Sequence, residues 1–317
     1  MTIAASLLAY AVLLGLVGHR LLAGRAATRR APRLAVVAWQ VATCSAVLAF
    51  VAAGLILALP LLPLAGLGEI FAACGDVLRE ATTAPDWRLV RVTGFVLAGT
   101  PLVSAAWCTL AGLAAARGQR QKHAETLRIV GRQSPSLDAM VVDSSSALVY
   151  CLPGRARRIV VTSGALRVLS ASQLRAVLAH EQAHLSGRHH LPIAAARGLA
   201  RAFPGVPLFA RAALEVPRLL EMCADDAAAA RHGRGAVAAA LRALSRSAAP
   251  AAALGASATA AEERLARLSR PPGQRRVTRT LLGAGVLALL VAPLLAALTP
   301  LIADTLHHLP YCPLPLS

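Results

Sequence analysis

The sequence predicts an α-helical membrane protein with an α+β domain inserted between its third and fourth spanning helices, three spans before the domain and one after. Three observations predict this. Of 317 residues, 56 % are hydrophobic and 15 % charged, against roughly 25 % charged in a soluble globular domain. Asp, Glu, Lys and Arg are missing from residues 1–19, 34–68, 92–116 and 280–303, and a bilayer-spanning helix needs about 20 mostly apolar residues. Residues 117–279 hold most of the charge and read as short strands followed by helices.

The membrane region is therefore 1–116, with spans at about 2–19, 34–60 and 92–116. The inserted domain is 117–279, the fourth span 280–303 and a short external tail 304–317. The first apolar run has no Lys or Arg ahead of it, so it lacks the basic start of a signal peptide and is read as an uncleaved span. Pro60 and Pro63 end the second helix and leave a short apolar loop. Orientation follows from basic loops. Arg20, Arg25, Arg29, Arg30 and Arg33 crowd the first loop without an acid. The second loop carries Glu69, Asp76, Glu80 and Asp86 against Arg79 and Arg88, and both ends of the inserted domain are basic. The expected topology puts the N-terminus outside and the domain in the cytosol. The net charge of +18 then reflects cytosolic arginines. Direct nucleic-acid binding is not expected, because the arginines are dispersed and no helix-turn-helix signal is present. Cys74 and Cys312 both fall on the outer, oxidising face, where a disulfide between them would persist. None of the six cysteines forms a CxxC pair, which argues against a cysteine zinc site.

Within the domain, 139–143, 147–152 and 158–162 are rich in β-formers. Pro153-Gly154 turns the last two into a hairpin. Ser170 caps a helix that Gly187 stops, and further helices are expected over 217–231, 235–249 and 258–270. Residues 191–220 are apolar but broken by Arg197, Arg201, Arg211 and Arg218 and by four prolines. They read as a surface segment resting on the membrane interface.

The chemistry lies in His180-Glu181-Gln182-Ala183-His184. On a helix, residues i and i+4 share a face, so the two imidazoles converge on one point. That geometry suits one zinc ion per chain, with Glu181 beside it as general base. A third protein ligand is needed. Glu221 and Asp225 lie one helical turn apart 37 residues beyond His184. Glu221 is the candidate ligand, and Asp225 the candidate partner of a ligating histidine's outer ring nitrogen. Asp226 points elsewhere. Gly187 takes His189 and His190 off the metal-facing stripe. His232 is a candidate donor to a tetrahedral oxyanion, although a helix-end histidine is commonly just exposed.

At these residues the chain resembles the BlaR/MecR-type membrane metallopeptidases, the antirepressor peptidase family. HEQAHLSGRHH, the preceding YCLPGRARRIVVTSGALRVLSASQLRAVLA, EMCADDAA and the later ERLARL carry the likeness, as does the order of three spans, domain and fourth span. The resemblance implies a zincin-like (gluzincin) domain with His180, His184 and Glu221 as zinc ligands and Glu181 as catalytic base. It implies that the edge strand Arg158, Ile159, Val160, Val161 and Thr162 binds substrate by strand addition. It also implies a bacterial plasma-membrane protease cutting a cytosolic protein, such as a winged-helix repressor. The family's sensors carry an external penicillin-binding domain after the fourth span, so β-lactam sensing through this chain is not expected. Two alternatives stand beside this reading: an HtpX-like quality-control protease for membrane proteins, and a non-catalytic zinc-binding signalling protein. The HtpX and CAAX-protease group shares HExxH and a downstream ExxxD but often has a His-Pro near a late arginine, whereas Arg264 here follows Glu263.

Overall fold

The computed structural model describes residues 2–22, 30–58, 85–154, 158–247, 256–270, 280, 283–293 and 295. Cys74, Cys312, the loop after Pro60 and the tail lie outside the described residues, as does most of 294–303. Three described helices are long and apolar enough to cross a membrane. They are α1 (Thr2–Leu22), α2 (Pro32–Ala58) and α3 (Pro85–Val130), and they mark a membrane-anchored protein. Pro32 opens α2 at the one turn where its missing N–H is harmless. α2 and α3 meet at two glycines. A Cβ on Gly54 would stand 2.5 Å from the Ala98 nitrogen, and one on Gly94 2.5 Å from the Ala58 nitrogen. Small residues let helix backbones approach this closely in a bilayer.

The third span was expected to end at 116, but α3 runs on without a break. Its 46 residues make a rod of about 69 Å, roughly twice the bilayer core. Its far end belongs to the domain, where Leu127 packs with Met140 and Val160.

The domain's sheet follows: β1 (Gly131–Ser134), β2 (Ala139–Val142), β3 (Val149–Leu152) and β4 (Arg158–Thr162), in spatial order β1-β2-β4-β3. β2 and β4 are parallel, and β3 and β4 pair antiparallel as the expected hairpin. Side chains alternate across the sheet. Val160 faces the end of α3, while Ile159 and Val161 face α4 (Ser163–Val168) and α5 (Ala171–Ser186). Thr162 caps α4 by accepting from the Ala165 N–H, and its hydroxyl also holds the 146–148 loop. Ser170 and Gln173 close a capping box at the start of α5.

Residues 191–220 differ from expectation. They form α6 (His190–Ala202) and the first half of α7 (Pro207–His232), and both helices pack on the spans. Leu199, Leu208, Phe209, Ala212 and Val216 share one core with Leu14, Trp39 and Ala46. Arg201 donates to the Cys108 carbonyl of α3 at 2.9 Å, and Gln40 of α2 to the Pro192 carbonyl at 2.9 Å. Prolines that look like breakers are used as starters: Pro192 sits in the first turn of α6 and Pro207 at the first turn of α7. Pro217, expected to start a helix, lies inside α7.

Two helices complete the domain, α8 (Arg234–Ser247) and α9 (Ala256–Ser269). The apolar helix α10 (Gly283–Pro293) falls within the expected fourth span. Pro293 has no N–H to offer the Leu289 carbonyl. The hydroxyls of Ser45 and Tyr10 reach that oxygen instead, at 3.1 and 3.4 Å, tying α10 to α1 and α2.

Gly54→Leu is expected to force α2 and α3 apart and to destabilise the protein by about 1–3 kcal/mol, as overpacking does. Denaturant unfolding in detergent measures this. An unchanged midpoint would mean the two helices do not depend on this crossing.

Candidate metal centre

Helices α5 and α7 bring the site together. His180 and His184 project one turn apart from α5, and Glu221 and Asp225 one turn apart from α7. The two Nε2 atoms are 3.2 Å apart. Glu221 Oε2 stands 3.5 Å from His180 Nε2, and Glu221 Oε1 3.3 Å from His184 Nε2. Tetrahedral zinc with bonds of 2.0–2.1 Å would hold its ligands about 3.3 Å apart. The donor set and its spacing therefore fit a zinc ion, and these three form a possible metal-ligand cluster among the described residues.

Each imidazole is held from behind. His180 Nδ1 lies 3.1 Å from Asp225 Oδ1; donating there turns its Nε2 lone pair toward the cluster. Asp225 is wholly buried. Arg264 of α9 neutralises it with two hydrogen bonds, Nε to Oδ2 at 2.8 Å and Nη2 to Oδ1 at 2.7 Å. Burial alone would raise the Asp225 pKa, but Arg264 and His180 bring it below the usual value. Arg264 Nη1 also lies 3.0 Å from Glu221 Oε2. Burial would raise the Glu221 pKa too, and the bonds to His180 and His184 lower it strongly.

His184 is held by a residue the sequence reading set aside. His189 Nδ1 lies 2.9 Å from His184 Nδ1. Gly187 does cap α5, but Arg188 then adopts a left-handed φ of 48°, which folds the chain back. The His189 ring packs over Gly187, where a Cβ would stand 2.5 Å from its Nε2, so a larger residue there would push the ring off His184. Burial and His184 lower the His189 pKa to about 4. Its ring is thus neutral and accepts from His184, leaving the His184 Nε2 lone pair on the metal side.

Glu181 lines a cavity of about 240 Å³ together with His180, Glu221, Asp225 and Arg264. Its pKa is raised, chiefly by burial, which suits a base working near neutral pH. Burial and the nearby Glu181 carboxylate push the Cys151 thiol up to about 12, so it stays protonated.

Other expected residues lie elsewhere. Arg158–Thr162 is β4, paired on both sides with β2 and β3, so it has no edge to offer a substrate strand. The strand beside α5 with an unpaired edge among the described residues is β3, which carries Cys151 into the site. His232 ends α7, exposed and eleven residues, or about 16 Å of helix, beyond Glu221; the structure does not bring it to the cluster as an oxyanion donor. Asp226 is not free in solvent, because Arg267 holds it at 2.6 Å. Arg264 and His189 are the site residues that sequence reasoning missed. The late arginine was noticed, but nothing in its spacing showed that it returns to Asp225.

Residues 116–269 match the model of peptidase family M48. The match supports membership of the M48 zinc metallopeptidase family. The enzyme class is that of a zinc metalloendopeptidase, a peptide-bond hydrolase. No curated protein and no solved structure matches the chain. The matched M48 segment begins at the end of the third apolar run and closes with α9, so it takes in the sheet, the HExxH helix, Glu221 and Arg264.

Asp225→Ala and His189→Ala are each expected to weaken zinc binding about 10–100-fold without abolishing it, because each removes an outer partner of one imidazole. Competition with a fluorescent chelator measures the affinity. An unchanged affinity in His189→Ala would make that ring a packing residue only.

Proposed function

We propose that this chain is a membrane-anchored zinc metalloendopeptidase that cuts a cytosolic protein. The observation that carries the reading is one half-buried cavity holding Glu181 directly beside the His180–His184–Glu221 cluster. His180, His184 and Glu221 would hold a single zinc ion. When bound, zinc supplies Lewis acidity toward water and the scissile carbonyl. Glu181 takes the proton of the attacking water and delivers it to the departing amide nitrogen. Asp225, backed by Arg264, and His189 fix the two imidazoles. The substrate lies extended along β3, whose backbone offers strand pairing next to the cavity.

The basic first loop and the acidic second loop support a cytosolic domain and an external N-terminus, in a bacterial plasma membrane. The sequence likeness to BlaR/MecR-type peptidases makes a winged-helix repressor the first substrate to test. An HtpX-like role on membrane proteins is the second reading. What favours it is the M48 match together with Arg264, a late arginine that pairs with the Asp of ExxxD in the site.

Glu181→Gln should keep zinc and lose proteolysis, because the base goes while the ligands stay. Comparing new protein N-termini in cells carrying wild type or Glu181→Gln names the substrate. Cuts confined to soluble cytosolic proteins support the first reading, and cuts confined to membrane proteins the second. Wild-type turnover by Glu181→Gln would remove Glu181 from the mechanism.

A further inference from the structure

A second cavity, of about 530 Å³, opens on the other side of α5, a size within the range of ligand pockets. Its walls are the start of α2, the end of α5 with the turn after it, and the second half of α7 as far as its last turn. Arg33 and Arg231 line it, with Val36, Leu220, Cys223 and His189, and among the described residues no acidic one does. Three other arginines of this region are neutralised: Arg218 by Glu215 and Glu263, Arg264 by Asp225 and Glu221, Arg267 by Asp226. Arg33 and Arg231 make no hydrogen bond or ion pair among the described residues.

Position decides what such a pocket meets. Arg33 is the second residue of α2, and no Asp, Glu, Lys or Arg follows it until Glu69. The bilayer boundary therefore passes at Arg33. The cavity is amphipathic, with guanidinium groups alongside an apolar wall of Val36, Leu220 and Pro192. A free inorganic anion would satisfy only the first feature. Basic pockets between membrane helices on the cytosolic side take up the head groups of anionic lipids.

We infer that the cavity between α2, α5 and α7 binds the phosphodiester head group of an anionic phospholipid through Arg33 and Arg231. The lipid then sits against His189, one side chain away from His184. The inference rests on the cytosolic placement of the domain but not on peptide hydrolysis, so its test reads lipid rather than cleavage.

Full-length protein in neutral detergent is titrated with phosphatidylglycerol or phosphatidylcholine, and retained lipid is measured by native mass spectrometry. Wild type is expected to bind phosphatidylglycerol more tightly. Each arginine removed should weaken that binding about fivefold, so Arg33→Gln with Arg231→Gln weakens it roughly 25-fold. Phosphatidylcholine retention and zinc content should not change. Arg242→Gln, on an exposed face of α8 outside the cavity, should bind as wild type does. If the double variant loses zinc, the two single variants carry the comparison. Equal binding of the two lipids by wild type would overturn the assignment, as would an unchanged affinity for phosphatidylglycerol in the variants. Displacement by inorganic phosphate as effective as phosphatidylglycerol itself would give the cavity to a free anion and overturn it too.

Discussion

A carboxylate with no exposure at all needs a partner, and Asp225 has two. An isolated buried charge costs several kcal/mol, and removing one member of a buried pair costs about 3–5 kcal/mol. Asp225 therefore dictates where Arg264 and His180 go. Arg264 must return from α9, 39 residues along the chain, and it fastens α9 to α7 with help from Arg218–Glu263 and Arg267–Asp226. His180 must present Nδ1 to the carboxylate, which leaves Nε2 facing His184 and Glu221. One buried charge thus sets the packing of three helices and the direction of one donor atom.

The membrane region and the site are joined by rigid elements. The first half of α7 packs Phe209 and Val216 against α1 and α2, and its second half presents Glu221 and Asp225. α3 passes from the apolar bundle to the sheet without interruption. Any shift of the spans against the domain would have to bend one of these helices. The centre is consequently built on the bundle, rather than hung from it by a linker.

The parts legible in the sequence were those fixed by local periodicity. His180, His184, Glu221 and Asp225 could be paired by helical spacing alone, and the apolar helices by their uncharged runs. The parts that were not legible depend on neighbours far away in the chain. Strand order is such a case: β4 is the most buried strand because it is central, which makes it the wrong strand for an edge. β1, Gly131–Ser134, has no β-former pattern and exists because β2 pairs with it. His189 was lost because a left-handed Arg188 cannot be read from sequence. Residues 191–220 were misjudged because their arginines interrupt a run that is nonetheless apolar on one face. Arg201 and Arg218 find a carbonyl and two carboxylates that only the folded chain supplies, while Arg197 and Arg211 stay exposed.

The charge balance of the centre argues for a dication independently of the ligand spacing. Glu181, Glu221 and Asp225 bring three negative charges into one cluster, and Arg264 returns one positive charge. Two negative charges remain in a half-buried space, where an unbalanced charge is costly. Without a metal, the protein meets part of this demand with a proton. Burial would lower the His180 pKa, yet the bonds to Asp225 and Glu221 raise it to about 9, so the ring would be held as imidazolium. A divalent ion supplies both missing charges at once and requires that ring to be neutral, so binding displaces the proton. A monovalent ion would leave one negative charge uncompensated, and an imidazolium alone does the same. The acids around His180 and His184 thus call for a doubly charged occupant, and the two nitrogens at tetrahedral spacing favour zinc over the oxygen-seeking magnesium and calcium.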